Sequence, residues 1–326
     1  MEAPEKAPLQ ADSSTARRHR GLSSVRLGGL DIDAVSVGGQ ETCICVPSLR
    51  AVFDVGRCPQ RACYLENLFL THTHLDHVGG IANYVGTRAL LGTVSPRVFV
   101  PAVCAPALER TLAAFRELDG SELPCTLVPV SPGDAVELSR THTVRLFHTL
   151  HPVPSTGYVV YSQSQKLKAC YSHLAGPEIA ALRKGGTDVS DKAELPVLAF
   201  TGDTSGDWVT LDGAVDALRA RVLIMECTFV DDAVSVADAV AFGHTHVDQI
   251  VEHADRFHNE GAPIACPARC LCLDHDACSL CPWAPTAILL THFSARYKQA
   301  DILSNLEARL PPHLWKRVTP LLEGFA

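Results

Sequence analysis

The sequence predicts an α/β layered fold whose polar residues gather at one set of strand ends. Three observations carry that expectation. Short apolar runs stop abruptly at a polar or acidic residue, helical periodicity lies between some of them, and a dense histidine–aspartate cluster directly follows one run.

Among the runs, Ala51-Val52-Phe53 meets Asp54, and Leu68-Phe69-Leu70 meets Thr71-His72. Val197–Phe200 leads into Thr201-Gly202-Asp203, Val222–Met225 into Glu226, and Ala287–Leu290 into Thr291-His292. Aliphatic runs of this length without polar alternation read as central strands buried on both faces. Val247, Ile250, Val251, Ala254 and Phe257 share one helical face, so a helix is expected across them. Polar side chains collected past the strand ends of a layered fold mark the default place for a site.

Composition sets outer limits. At 326 residues the chain is long enough to bury a large core, and 47% hydrophobic with 20% charged residues is a globular composition. No apolar run approaches the roughly 18 residues of a membrane span, so no membrane partner is expected. The net charge of −8 argues against indiscriminate nucleic-acid binding. It leaves open a polyanionic substrate met by local basic patches or bound cations. Residues 1–27, with five Lys or Arg against three acids, read as a disordered tail before a folded domain of 28–326. Thirteen cysteines in a long chain without an apolar signal core point to reduced thiols and a cytoplasmic or nuclear setting.

The strongest signal is Thr71-His72-Thr73-His74-Leu75-Asp76-His77-Val78-Gly79-Gly80. Histidines on alternate positions of an extended loop point the same way and can grip one cation. Asp76 and His77 then turn toward a second as the chain enters a helix, and Gly79-Gly80 permits close backbone packing. A histidine-rich polar loop without a metal is the competing account, and core packing gives no reason for this spacing. Two sites need more ligands than one loop supplies. His151 lies in a Pro- and Gly-punctuated turn, while Asp203 and His292 each follow a buried strand. Each alone reads more readily as a hydrogen-bonded structural residue. Together they complete two open sites, with the Asp203 carboxylate able to bridge.

The order His-x-His-x-Asp-His, His151, Asp203, His292 resembles the metallo-β-lactamase superfamily. The finer wording is similar to tRNase Z, the tRNA 3′-processing endonuclease, in its short plant form. It includes Ser36-Val-Gly-Gly-Gln-Glu-Thr-Cys, Phe53-Asp-Val-Gly-Arg-Cys-Pro, Phe200-Thr-Gly-Asp-Thr, Glu226-Cys-Thr-Phe-Val-Asp-Asp, Gly243-His-Thr-His and His292-Phe-Ser-Ala-Arg-Tyr. The resemblance implies a four-layer αββα sandwich with a protruding tRNA-binding arm. It implies two zinc ions per subunit, with manganese able to substitute. One would be held by His72, His74, His151 and Asp203, the other by Asp76, His77, Asp203 and His292. Asp76 would orient or deprotonate the attacking water, and His244, oriented by Glu226, would protonate the leaving 3′-oxygen.

The resemblance also implies a precursor-tRNA substrate and a homodimer whose arm acts in trans. Residues of about 163–196 match the arm's place, with Lys166, Lys168, Arg183 and Lys184 around Gly176-Pro177 as candidate RNA contacts. A solvated surface helix is the plainer reading of that charge run. One departure interrupts the likeness. Residues 261–286 hold Cys266, Cys270, Cys272, Cys278 and Cys281, and their spacing matches no standard zinc finger. The segment reads as an irregular insertion, placed just before the strand that carries His292. Two alternatives stay open: a thioesterase- or lactonase-like hydrolase of the same fold, or a tRNA-binding homologue that does not cleave.

Overall fold

The computed structural model describes residues 22–257 and 287–325. The first sheet runs in the order β1 (Ser23–Leu27), β2 (Leu30–Gly38), β3 (Glu41–Val46), β4 (Ala51–Phe53), β5 (Asn67–Phe69), β6 (Arg97–Pro101), β7 (Thr126–Val130). The second contains β8 (Ala135–Ser139), β9 (His142–His148), β10 (Thr156–Leu167), β11 (Ser190–Phe200), β12 (Val222–Glu226), β13 (Ala287–Thr291) and β15 (Val318–Pro320), in the spatial order β15-β13-β12-β11-β10-β9-β8. A short β14 (Phe293–Ser294) leaves the second sheet to pair with β2 of the first.

Both sheets are mixed. β1 to β4 pair antiparallel and β4 to β7 parallel; β8 to β11 pair antiparallel and β11, β12, β13 and β15 parallel. The apolar runs singled out in the sequence are the parallel strands β4, β5, β11, β12 and β13. They lack alternation because each is covered on both faces. Between the sheets lies a core of Ile44, Phe53, Phe69, Phe99, Tyr158, Phe200, Ile224 and Leu289. Phe69 stacks on Phe99 at 4.4 Å between ring centroids, and Tyr158 meets Phe69 edge-on at 5.2 Å.

The outer face of the first sheet is covered by α2 (Ile81–Leu90) and α3 (Ala105–Asp119), which follow the short α1 (Leu75–Val78). α4 (Gly176–Lys184) lies between β10 and β11. α5 (Val215–Leu218), α7 (Val247–Glu252) and α8 (Gln299–Arg309) cover the second sheet, and α6 (Val236–Phe242) precedes α7. The layers are therefore helix, sheet, sheet, helix.

Two sequence expectations need correction. Ser23–Leu27, assigned to the tail, form β1, because the Leu27–Leu30 turn folds them back onto β2. The helix expected over 247–257 stops at Glu252 and tightens into a 3₁₀ turn at Ala254–Phe257, where the Arg256 N–H reaches only three residues back to the His253 carbonyl. The remaining tail and the cysteine-bearing 261–286 segment lie outside the described residues. Among the described residues no helix is long and apolar enough to cross a membrane.

Candidate metal centre

The parallel strands of both sheets deliver the site. The chain leaving β4 supplies Asp54, that leaving β5 supplies the 71–77 loop, and those leaving β11, β12 and β13 supply Asp203, Glu226 and His292. Convergence at the carboxyl ends of parallel strands is the usual place for a site in open α/β sheets. Tyr158 of β10 crosses the interface and donates its hydroxyl to the Leu70 carbonyl at 2.6 Å, fixing the start of the loop. Gly202, at φ +60, lets the chain after β11 lie against that loop. A Cβ there would stand 2.5 Å from Thr71 Cβ.

All seven candidate ligands come together. His74 Nδ1 lies 3.1 Å from His72 Nε2 and 3.2 Å from His151 Nε2. On the other side, His77 Nε2 lies 3.3 Å from His292 Nε2, and His292 Nε2 lies 3.5 Å from Asp76 Oδ2. Asp203 stands between the groups, with its Oδ2 3.2 Å from His77 Nε2, 3.3 Å from His292 Nε2 and 3.7 Å from His72 Nε2. His72-His74-His151 and Asp76-His77-His292 each satisfy the spacing of a metal-binding group, as do His72-His77-Asp203 and Asp203-His244-His292.

The donor set fits divalent cations on two counts. Zinc–nitrogen bonds of 2.0–2.1 Å in a tetrahedron place neighbouring ligand atoms about 3.3 Å apart, close to the spacings found here. Second, four of the imidazoles have Nδ1 engaged away from the cluster. His151 Nδ1 faces the Gly243 carbonyl at 2.9 Å, His77 Nδ1 the Asp54 carboxylate at 2.8 Å, His292 Nδ1 the Thr228 hydroxyl at 3.1 Å and His72 Nδ1 the Thr71 hydroxyl at 3.0 Å. With Nδ1–H donating, each Nε2 lone pair is left to a cation. His74 differs: its Nδ1 points inward and the residue is exposed.

Electrostatics follow from burial. Burial holds the His72 and His151 imidazoles below the usual histidine range. It also opposes charge on His77 and Asp203, yet their attraction prevails; Asp54 helps raise His77, and His292 helps lower Asp203. For Asp76, burial is outweighed by His292 and His77, and its carboxyl is held at about 2. The Gly39 N–H donates to Asp76 Oδ2 at 2.8 Å.

Glu226 and His244 form a second unit beside the cluster. Glu226 is buried and accepts from the Thr204 N–H at 2.6 Å, the Thr245 N–H at 3.1 Å and the Thr228 hydroxyl. His244 Nδ1 lies 3.0 Å from Glu226 Oε1, and its ring stacks on His292 at 5.4 Å between centroids. Burial opposes its charge, but Glu226 raises it to about 9. A His244 ring nitrogen lies within 4.8 Å of ligand atoms of Asp203 and His292, so a protonated imidazole here has a proton to give beside the cluster.

The candidate RNA contacts lie elsewhere, on the β10–β11 ribbon. Gly176 and Pro177 open α4, and Arg183 and Lys184 close it. Lys168 Nζ meets Asp188 at 3.3 Å, and Arg183 donates to Ser190 at 3.1 Å. Lys166 belongs to β10, and its side chain lies outside the described residues. Sequence reasoning assigned no role to Asp54, which accepts from Thr71 N–H and Thr71 hydroxyl, both at 2.8 Å, as well as from His77. Nor did it assign one to Thr228, which joins Glu226, His244 and His292. The abrupt stop of the β4 run at Asp54 was the available signal for the first; Thr228 had none of its own.

No family model matches the chain. It is 41% identical over 302 residues to tRNase Z TRZ1 of Arabidopsis thaliana, spanning 93% of this chain and 98% of that protein. Among solved structures, it is similar to the metallo-β-lactamase fold protein YhfI of Bacillus subtilis, with a TM-score of 0.53 at 15% identity over 89% of this chain and 95% of that one. The short form of human tRNase Z superposes with a TM-score of 0.50 at 19% identity, over 94% and 95% of the two chains. The fold is thus the metallo-β-lactamase fold, with two mixed sheets.

Proposed function

The chain belongs to the tRNase Z family of metal-dependent hydrolases, and from that premise we propose that it removes the 3′ trailer from precursor tRNA. It hydrolyses the phosphodiester 3′ of the discriminator nucleotide, leaving a 3′-hydroxyl on the tRNA and a 5′-phosphate on the trailer. The observation that carries this reading is the adjacency of the seven-ligand cluster and the Glu226–His244 pair.

His72, His74, His151 and Asp203 would hold one cation, and Asp76, His77, Asp203 and His292 the other. Bound there, two zinc ions, or manganese in their place, would lower the pKa of water and neutralise charge developing on the phosphoryl oxygens. Asp76, ionised at ordinary pH, accepts a proton from the attacking water or orients it. His244, kept protonated by Glu226, gives its proton to the leaving 3′-oxygen. The ribbon, with Lys166, Lys168, Gly176, Pro177, Arg183 and Lys184, holds the tRNA away from the chemistry. Its tip lies roughly 30 Å of strand from Asp203, a reach that suits a homodimer in which it serves the partner's site. The setting is cytoplasmic or nuclear.

The test is incubation of the purified protein and zinc or manganese with a 3′-extended precursor tRNA, followed by sizing and end analysis. A single cut after the discriminator, with the stated termini, is the expected result. A chain that binds the RNA and leaves it whole, or that hydrolyses only thioesters or lactones, overturns the reading.

A further inference from the structure

Beside Gly80, just past the 71–77 loop, two thiols meet. Cys58 Sγ lies 3.4 Å from Cys63 Sγ, across the turn Pro59–Leu65 that follows β4. Cys58 is half-buried and Cys63 is 1% exposed, so Cys58 is the member of the pair nearer solvent and Cys63 backs it. Among the described residues another close pair, Cys43 and Cys45 at 3.9 Å, is wholly buried on β3. The turn is held firmly. The buried Arg88 guanidinium donates to the Cys63 and Leu65 carbonyls, both at 2.8 Å, and the Tyr84 hydroxyl donates to the Leu65 carbonyl at 2.7 Å.

We propose that Cys58 and Cys63 are an oxidative modification site, closing a reversible disulfide by exchange with a low-molecular-weight disulfide such as oxidised glutathione. Cys63, as the thiolate, takes the Cys58 proton as Cys58 Sγ attacks one glutathione sulfur; the glutathione S–S bond breaks and glutathione thiolate leaves. Cys63 then loses that proton, attacks Cys58 Sγ and displaces the second glutathione as thiolate. Two cysteine thiols are oxidised to one disulfide, and one oxidised glutathione is reduced to two thiols. The contact with Cys63, with burial, raises the Cys58 thiol well above its ordinary range, so Cys58 attacks only as its proton passes to Cys63. The hydrogen bond from Cys58 lowers the Cys63 thiol to about 7 against the pull of burial, with Thr87 and Arg88 assisting.

Closure has a mechanical consequence. A disulfide places its sulfurs about 2.0 Å apart, so the pair must draw together by more than about 1 Å. The same segment is bonded to the metal loop. The Val55 N–H donates to the His77 carbonyl at 2.7 Å, and the Gly80 N–H to the Val55 carbonyl at 2.8 Å. Gly56 lies so close to the Asp76 carbonyl that a Cβ would stand 1.8 Å from it. Any shift of residues 55–58 is therefore felt by Asp76 and His77, and misplacement by about 1 Å in a catalytic site can lower the rate by about a hundredfold.

The experiment treats the metal-loaded full chain with oxidised glutathione. Trypsin cuts after Arg57 and Arg61, leaving Cys58 in peptide 58–61 and Cys63 in peptide 62–88, so mass spectrometry reads the link directly. The expected result is a 58–61/62–88 cross-link and at least about a tenfold loss of precursor-tRNA cleavage. Dithiothreitol should reverse both, and both should be absent in Cys63→Ser and in Cys58→Ser, the latter altered on the solvent side. Failure to recover the cross-link overturns the site, and a cross-link without loss of rate overturns its hold on the metal loop. The activity arm rests on the nuclease reading, which fails separately if the reduced protein does not cleave.

Discussion

The 71–77 loop and the β10–β11 ribbon both leave the body of a sheet, and they are built in opposite ways. The loop is tied on every side. Leu70 N–H reaches Phe99, Thr71 is held by Asp54, Thr156 N–H donates to the Thr71 carbonyl at 3.0 Å, and Asp76 is fixed by Gly39. Past Gln163 the two strands of the ribbon pair with each other, and α4 at its tip buries no residue. Chemistry needs ligand atoms held within a fraction of an ångström. Grip on a long polyanion needs charge and reach more than rigidity. The two regions stand apart in the fold, as the proposed division between chemistry and RNA grip requires.

The largest effect should come from the centre of the rigid region. Asp203→Ala removes the carboxylate that touches both ligand groups, so elemental analysis should show loss from both sites rather than one. Cleavage should fall by at least about a thousandfold. Retention of one full equivalent of metal with measurable turnover would show that the two groups bind independently.

A smaller effect should follow from the ribbon. With Lys166, Lys168, Arg183 and Lys184 all replaced by Ala, affinity for precursor tRNA should fall, and the slope of log affinity against log salt should flatten by about 0.9 per lost phosphate contact. Lys168 and Arg183 are already engaged with Asp188 and Ser190, so fewer than four contacts are expected to vanish. Hydrolysis of bis(p-nitrophenyl) phosphate should be unchanged. Equal loss of both activities would mean that the ribbon supports the fold.

The smallest effect sharpens the rigid side alone. In the metal-free protein His244 should titrate by NMR near 9, and Glu226→Gln should bring it down toward or below the ordinary value of about 6.5. The sign is that of a cation gained on folding. Its stabilising contribution is complete below about 6.5 and is lost as pH rises through about 9. An unchanged titration in Glu226→Gln would assign the shift to Asp203 instead.

How much of this was legible in the sequence depends on how local each signal was. The β4, β5, β11, β12 and β13 runs could be read because strands covered on both faces lose polar alternation. The 71–77 cluster could be read because histidine and aspartate at that spacing answer to no packing need. Residues 23–27 were missed since Ser23, Ser24 and Arg26 make a half-exposed edge strand that reads as solvated tail. Asp54 and Thr228 act on the ligands' far nitrogens, a relation made by long-range pairing of strands and carried by no local pattern.

Two residues at the site adopt a backbone that L side chains seldom take: Asp54 at φ 57 and His292 at φ 60. Each such conformation costs on the order of 1–2 kcal/mol, and neither position can relax by becoming glycine without losing the group that works there. Folding therefore raises energy where the cations bind, and cations that bind only the folded chain lower it again by mass action. Stripping divalent metal from the protein should therefore lower its melting temperature and speed its digestion by protease, and an unchanged melting temperature would show that the strain is borne without metal.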